Sequence, residues 1–185
     1  MPVTLLWIPA VWKFLHASSL QYNNQSTKER EFYKLGIKAL KHIVPCTKCK
    51  KHIEIFLKTR ESSLDLINSS EDMFRFTYDL HADVKFDAYV PTPSFTFNEA
   101  LQSWKIVTFD EVVVKDMMKL TSFYTEVSEG QTCVDTLVTY SHFLSSFNMH
   151  KEVTLIDSIL VNHKHDSALP PQPLLEILRS NGMAL

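Results

Sequence analysis

The sequence predicts an all-α protein: a four-helix bundle with a short fifth helix, followed by an additional helical C-terminal extension. Three observations carry that expectation. Only three glycines occur in 185 residues, and glycine supplies the positive-φ positions on which tight hairpins depend, so a turn-rich β architecture is disfavoured. Apolar residues recur at three- and four-residue spacing through successive segments. Two Ser/Thr-x-x-Glu capping boxes, Ser26/Glu29 and Thr96/Glu99, announce helix starts.

Taken in order, Trp7 to about Leu20 carries Ile8, Val11, Trp12 and Leu15 at helical spacing. A polar loop, Gln21–Thr27, follows. The Ser26/Glu29 box opens a second helix with an expected buried stripe of Phe32, Leu35, Ala39, Leu40 and Ile43, ended by Pro45. A third helix begins at Cys46, turns Ile53, Phe56 and Leu57 inward and is expected to stop near Arg60. The Ser- and acid-rich Asn68–Asp72 suits a helix N-terminus and leads into a fourth helix with Met73, Phe76, Leu80 and Val84 on one face. Pro91 and Pro93 interrupt the chain before the Thr96/Glu99 box and a short fifth helix through Trp104.

Residues 1–106 therefore read as one domain. Residues 107–185 read as a helical extension of unknown role, with helices over Val112–Tyr124, Val134–Phe147, Val153–Val161 and Leu174–Arg179, the last stopped by Asn181–Gly182. The extension either packs on the bundle as a pseudo-dimer half or forms a homodimer surface.

Composition narrows the function classes. The formal charge of −2 gives no electrostatic footprint for nucleic acid. The apolar opening, Met1 to Leu20, lacks a basic leader and a small-residue cleavage site and is interrupted by Lys13 and His16, so it reads as a core helix, neither a signal peptide nor a membrane span. Three cysteines do not make a secreted disulfide framework. Two of them form a C-x-x-C, and Cys133 stands apart as an expected buried free thiol.

The chemistry concentrates in Pro45-Cys46-Thr47-Lys48-Cys49-Lys50-Lys51-His52. Two thiols at this spacing can close a disulfide within one helical turn. At a helix start the unpaired N–H groups favour a thiolate, and the neighbouring lysines and His52 act in the same direction. A zinc site is the alternative: Cys46, Cys49 and His52 have ligand-like spacing, with His42 or His81 available as a fourth, although no second recognisable ligand pair is present. A thioredoxin-like site is disfavoured, because both flanks of the motif read as helix. A dithiol in a helical bundle needs another electron acceptor.

The order of these elements resembles the Erv/ALR family of FAD-linked sulfhydryl oxidases, with small viral members closest in style. The resemblance rests on Trp7-Ile8-Pro9-Ala10-Val11-Trp12-Lys13-Phe14-Leu15-His16, on the helix from Phe32 into Pro45-Cys46-x-x-Cys49, on His81-Ala82-Asp83-Val84-Lys85, and on Trp104. It covers residues 7 to 104 and implies that FAD is held at the mouth of the bundle. By the same resemblance, Cys49 would lie against the flavin as the charge-transfer thiolate, and Cys46 would be the outer thiol that meets substrate. Trp12, His16 and His81 would line the cofactor, Val84 and Lys85 would sit beside its adenosine part, and Trp104 would help close the pocket. Tyr22 is left between core and cofactor.

Three positions depart from the family pattern: Ile8 stands where glycine is usual, and Ala82 and Lys85 replace asparagines. A second, shuttle cysteine pair is also lacking.

The function implied is oxidation of protein dithiols with dioxygen as final acceptor and peroxide as product, in a homodimer, with the host cytoplasm, nucleus or virion as the place of action for a viral protein. Two rival readings are a non-catalytic Erv-like interaction module and a helical zinc-binding adaptor using Cys46, Cys49 and His52.

Overall fold

The computed structural model describes residues 6–84, 95–123, 126–127, 130–163 and 172–185, the backbone alone at 126–127, 130–133, 163 and 172–173. The described chain is helical: α1 (Trp7–Ser19), α2 (Thr27–Lys38), α3 (Thr47–Leu66), α4 (Ser70–Asp83), α5 (Phe97–Lys105), α6 (Glu111–Phe123), α7 (Gly130–Ser146), α8 (His150–His163) and α9 (Leu174–Ser180). A two-residue antiparallel bridge, β1 (Glu126–Val127) with β2 (Gln172–Pro173), is the extended structure among the described residues. Pro91 and Pro93 lie outside them.

Both capping boxes form, at α2 and α5, with each cap side chain accepting from the backbone three residues on and each glutamate reaching back. Ser69 caps α4 by accepting from the Asp72 backbone N–H, ahead of Glu71 and Asp72, whose charges suit a helix N-terminus. At the far end, Gly182 adopts φ 89°. Its left-handed turn lets Met183 N–H donate to the Leu178 carbonyl at 3.0 Å, ending α9.

Two sequence expectations are corrected. In α2 the buried positions are Tyr33, Lys34, Gly36 and Ile37, while Leu35 is 43% exposed and Phe32 half-buried. The stripe rotates because α2 is covered by α3 on one side and α7 on the other. Tyr33 is drawn inward by polar partners on α1: its hydroxyl is hydrogen-bonded to Ser18 Oγ at 2.7 Å and lies 3.4 Å from the Leu15 carbonyl oxygen. Lys34 buries its stem and donates from Nζ to the Asp65 carbonyl at 2.8 Å. The helix also ends at Lys38, well short of Pro45: Ala39 is its half-buried C-cap, and the fully buried Leu40 and Ile43 lie in and just after a 3-10 turn over Leu40–His42.

The second correction concerns α3, which runs to Leu66 instead of stopping near Arg60. No breaker intervenes, Leu64 is fully buried, and Glu61 and Asp65 pair with Lys38 at 3.2 and 2.8 Å.

Helices α6 to α9 share one apolar core with α1 to α4. Helix α6 lies along α1 and α7 along α2, with α8 on α7 and α9 on α6. The core passes without interruption from Trp12 and Leu15 through Met117, Tyr140 and Phe143 to Leu178. Gly36 permits the α2–α7 contact: a Cβ there would meet the Phe143 ring at 2.7 Å. Helix α7 also grips the segment leading into the cysteine motif, where Thr136 Oγ1 donates to the His42 carbonyl at 2.8 Å and Thr139 Oγ1 to the Ala39 carbonyl at 3.3 Å.

Candidate active site

Cys46 and Cys49 are joined as a disulfide, with Cα atoms 5.2 Å apart. Cys46 is the N-cap of α3, and its Sγ accepts from the Cys49 backbone N–H at 3.2 Å. Pro45 ahead of it cannot extend a helix backwards, and the first turn of α3 holds no acidic residue. The two sulfurs differ in access: Cys49 is 5% exposed and packed in the main core, whereas Cys46 is half-buried at its edge. Lys48, Lys51 and His52 are exposed around them, and Lys50 is half-buried. The asymmetry offers one sulfur to an incoming thiol and withholds the other.

The expected ring residues come together across the α1–α4 contact. Trp12 and His16 are four apart on α1 and lie on one helix face. The His81 imidazole stacks on the Trp12 indole, with centroids 4.0 Å apart and 11° between planes. His16 Nε2 lies 2.9 Å from His81 Nδ1, and the His16 ring meets Trp104 of α5 and Phe74 of α4 at centroid distances of 5.1 and 5.4 Å. Val84, just past the end of α4, is buried in the core that holds Trp12 and Cys49. Lys85 lies outside the described residues, and Cys133 falls where α7 is described by its backbone alone.

Burial holds both imidazoles neutral. His16 is 2% exposed, and desolvation, with His81 adding to it, lowers its pKa to about 3; desolvation alone lowers that of His81 to about 4. The cluster therefore offers two indoles and two uncharged imidazoles, a set suited in chemical kind to a planar, hydrogen-bonding heterocycle. A cavity of about 770 Å³ between the α1–α2 turn and the α7–α8 turn contains none of these residues. Concavity alone does not locate this chemistry.

Sequence reasoning missed Thr77 and Phe74, both fully buried against His16. Thr77 stands four residues before His81, a spacing that places it on the same face of α4 and was legible. Phe74 carried no comparable signal. Tyr22, left open between cofactor and core, is 1% exposed, and its hydroxyl donates to the Ile67 carbonyl at 3.1 Å, so it serves the core. In the disulfide form neither sulfur is a free thiolate available as a zinc ligand. Among the described residues no group of three or more His, Cys, Asp or Glu is placed to hold a metal ion.

A helical bundle with a C-x-x-C disulfide at a helix N-terminus, half exposed and half in the core, defines a dithiol redox protein class. The chain belongs to the Erv1 / Alr family, whose sequence profile matches residues 9–105, just over half its length. It is similar to a probable FAD-linked sulfhydryl oxidase of Acanthamoeba polyphaga mimivirus, 26% identical over 93 residues, which are 50% of this chain and 64% of that relative. The match thus spans less than two thirds of the relative's own length. No solved structure matches the chain. Among the described residues no helix is long and apolar enough to cross a membrane.

Proposed function

We propose that this chain is a FAD-linked sulfhydryl oxidase that forms disulfides in protein substrates, with dioxygen as the final acceptor. The observation that carries the reading is the Cys46–Cys49 disulfide, its outer sulfur accessible and its inner sulfur packed in the same core as Trp12. A substrate thiolate attacks Cys46 Sγ, the S–S bond breaks, and Cys49 leaves as a thiolate. The substrate's second thiolate then attacks its own sulfur in the mixed disulfide and expels Cys46. The substrate gains a disulfide, and the protein holds the electron pair as a dithiol.

The N-terminus of α3 favours the Cys49 thiolate, since its N–H groups are unpaired within the helix and carry partial positive charge. Lys48, Lys50, Lys51 and His52 add to that field. FAD, when bound, supplies the acceptor for the electron pair and delivers it to dioxygen, with peroxide as product. Trp12, His16, His81, Val84 and Trp104 are the residues that would hold it, the rings by stacking and the imidazoles by hydrogen bonding. In a virus, disulfide formation in virion proteins is the role that this activity would serve.

The test is the visible absorption spectrum of the purified protein before and after a dithiol is added under air. The expected result is a yellow protein whose flavin band bleaches and returns while peroxide accumulates. A protein that stays colourless after incubation with FAD overturns the reading and leaves the non-catalytic module in its place.

A further inference from the structure

Thr77 plays no part in the mechanism above, yet it sits behind both histidines. Its hydroxyl carries one proton, and the nearer acceptor is the Phe74 carbonyl oxygen, 3.0 Å away. The Thr77 oxygen is then left to accept from His16 Nδ1 at 3.3 Å, so the ring proton of His16 resides on Nδ1. His16 is deeply buried and neutral, and its Nε2 is therefore bare. That nitrogen lies 2.9 Å from His81 Nδ1, and a hydrogen bond across this gap requires His81 to donate. A neutral His81 with its proton on Nδ1 has an unprotonated Nε2, which makes no hydrogen bond to a described residue. The stacking of the ring on Trp12 restrains the direction in which that lone pair points.

We infer that Thr77 is a positioning residue: acting through His16, it fixes His81 as the Nδ1–H tautomer and so presents Nε2 as a hydrogen-bond acceptor to an amino or hydroxyl group of the bound nucleotide. The ligand half of this inference rests on the FAD reading; the tautomer relay does not. Thr77 is fully buried, with its hydroxyl turned to the Phe74 carbonyl and His16 Nδ1.

The experiment uses the full chain with ¹⁵N-labelled histidine and reads the imidazole nitrogens by long-range ¹H–¹⁵N correlation, with and without FAD. In the wild type both His16 and His81 are expected as Nδ1–H tautomers. In Thr77→Val, which keeps the shape and removes the hydroxyl, His81 is expected to become a tautomer mixture and FAD to bind about fivefold to tenfold more weakly. Thr77→Ser is expected to keep the wild-type tautomers and an affinity within about twofold of wild type, which separates the hydroxyl's role from packing. An Nε2–H tautomer of His81 in the wild type overturns the relay, as does a folded Thr77→Val protein with unchanged tautomers and affinity. A wild type that takes up no FAD overturns the ligand half and the oxidase reading together, while the spectra still decide the relay.

Discussion

The Trp12 indole and the His81 imidazole lie face to face, 4.0 Å between centroids, although one belongs to α1 and the other to the end of α4. With His16 bridging to Trp104, they form a ring-lined wall from three helices. A wall of this kind is costly to charge, and that gives the first prediction.

Unfolded, each imidazole takes a proton near pH 6.5; folded, His16 takes one only near about 3 and His81 near about 4. Between those limits the unfolded chain binds more protons. Their contribution to stability is fully present above about pH 6.5 and is lost as pH falls, by up to about 1.4 kcal/mol per pH unit for each ring. Urea midpoints measured from about pH 7.5 down to about 5 should fall, and His81→Gln should show a shallower fall than wild type. Equal slopes in the two proteins would sink the assignment.

Cys49→Ser should leave FAD binding intact and end dithiol-dependent oxygen uptake, because without Cys49 the chain has no Cys46–Cys49 disulfide for a substrate thiolate to attack and no inner thiolate to hold the electron pair. Cys133→Ser should turn over at the wild-type rate with small dithiols. Oxygen uptake at the wild-type rate in Cys49→Ser, or its loss in Cys133→Ser, would each contradict the assigned electron path.

Gly36→Ala sets two effects against each other. Alanine in a helix interior is favoured over glycine by about 1 kcal/mol. The added methyl, however, would meet the fully buried Phe143 ring at 2.7 Å, and overpacking of a tight core costs about 1–3 kcal/mol. Overpacking should win: the variant should unfold at lower urea than wild type, and Phe143→Leu in the same chain should recover part of the loss. A Gly36→Ala variant more stable than wild type would show that α7 shifts freely on α2.

Residues 1–106 alone should not behave as a stable monomer. Removing α6 and α7 uncovers Phe14 and Leu15 on α1 and Ile37 on α2, all fully buried in the intact chain. Exposed apolar area of this size drives self-association or aggregation. Sedimentation and thermal unfolding of the 1–106 fragment would check this; a monomer as stable as the full chain would support a domain that ends at residue 106.

Much of this architecture could be read from local sequence, because its signals are local. Capping boxes act within one turn, and the C-x-x-C spacing brings two thiols together without help from the rest of the chain. The amino-acid pattern thus determined the helices, their order, the cysteine pair and the family to which they belong. The tertiary structure decided what depends on neighbours far along the chain. It turned Tyr33 inward through Ser18, let α7 close on α2 at Gly36, and set Thr77 behind His16 and His81. A periodic stripe shows that a helix has a buried face; only packing from two sides shows which residues fill it, because burial and hydrogen bonding are properties of partners that sequence spacing does not name.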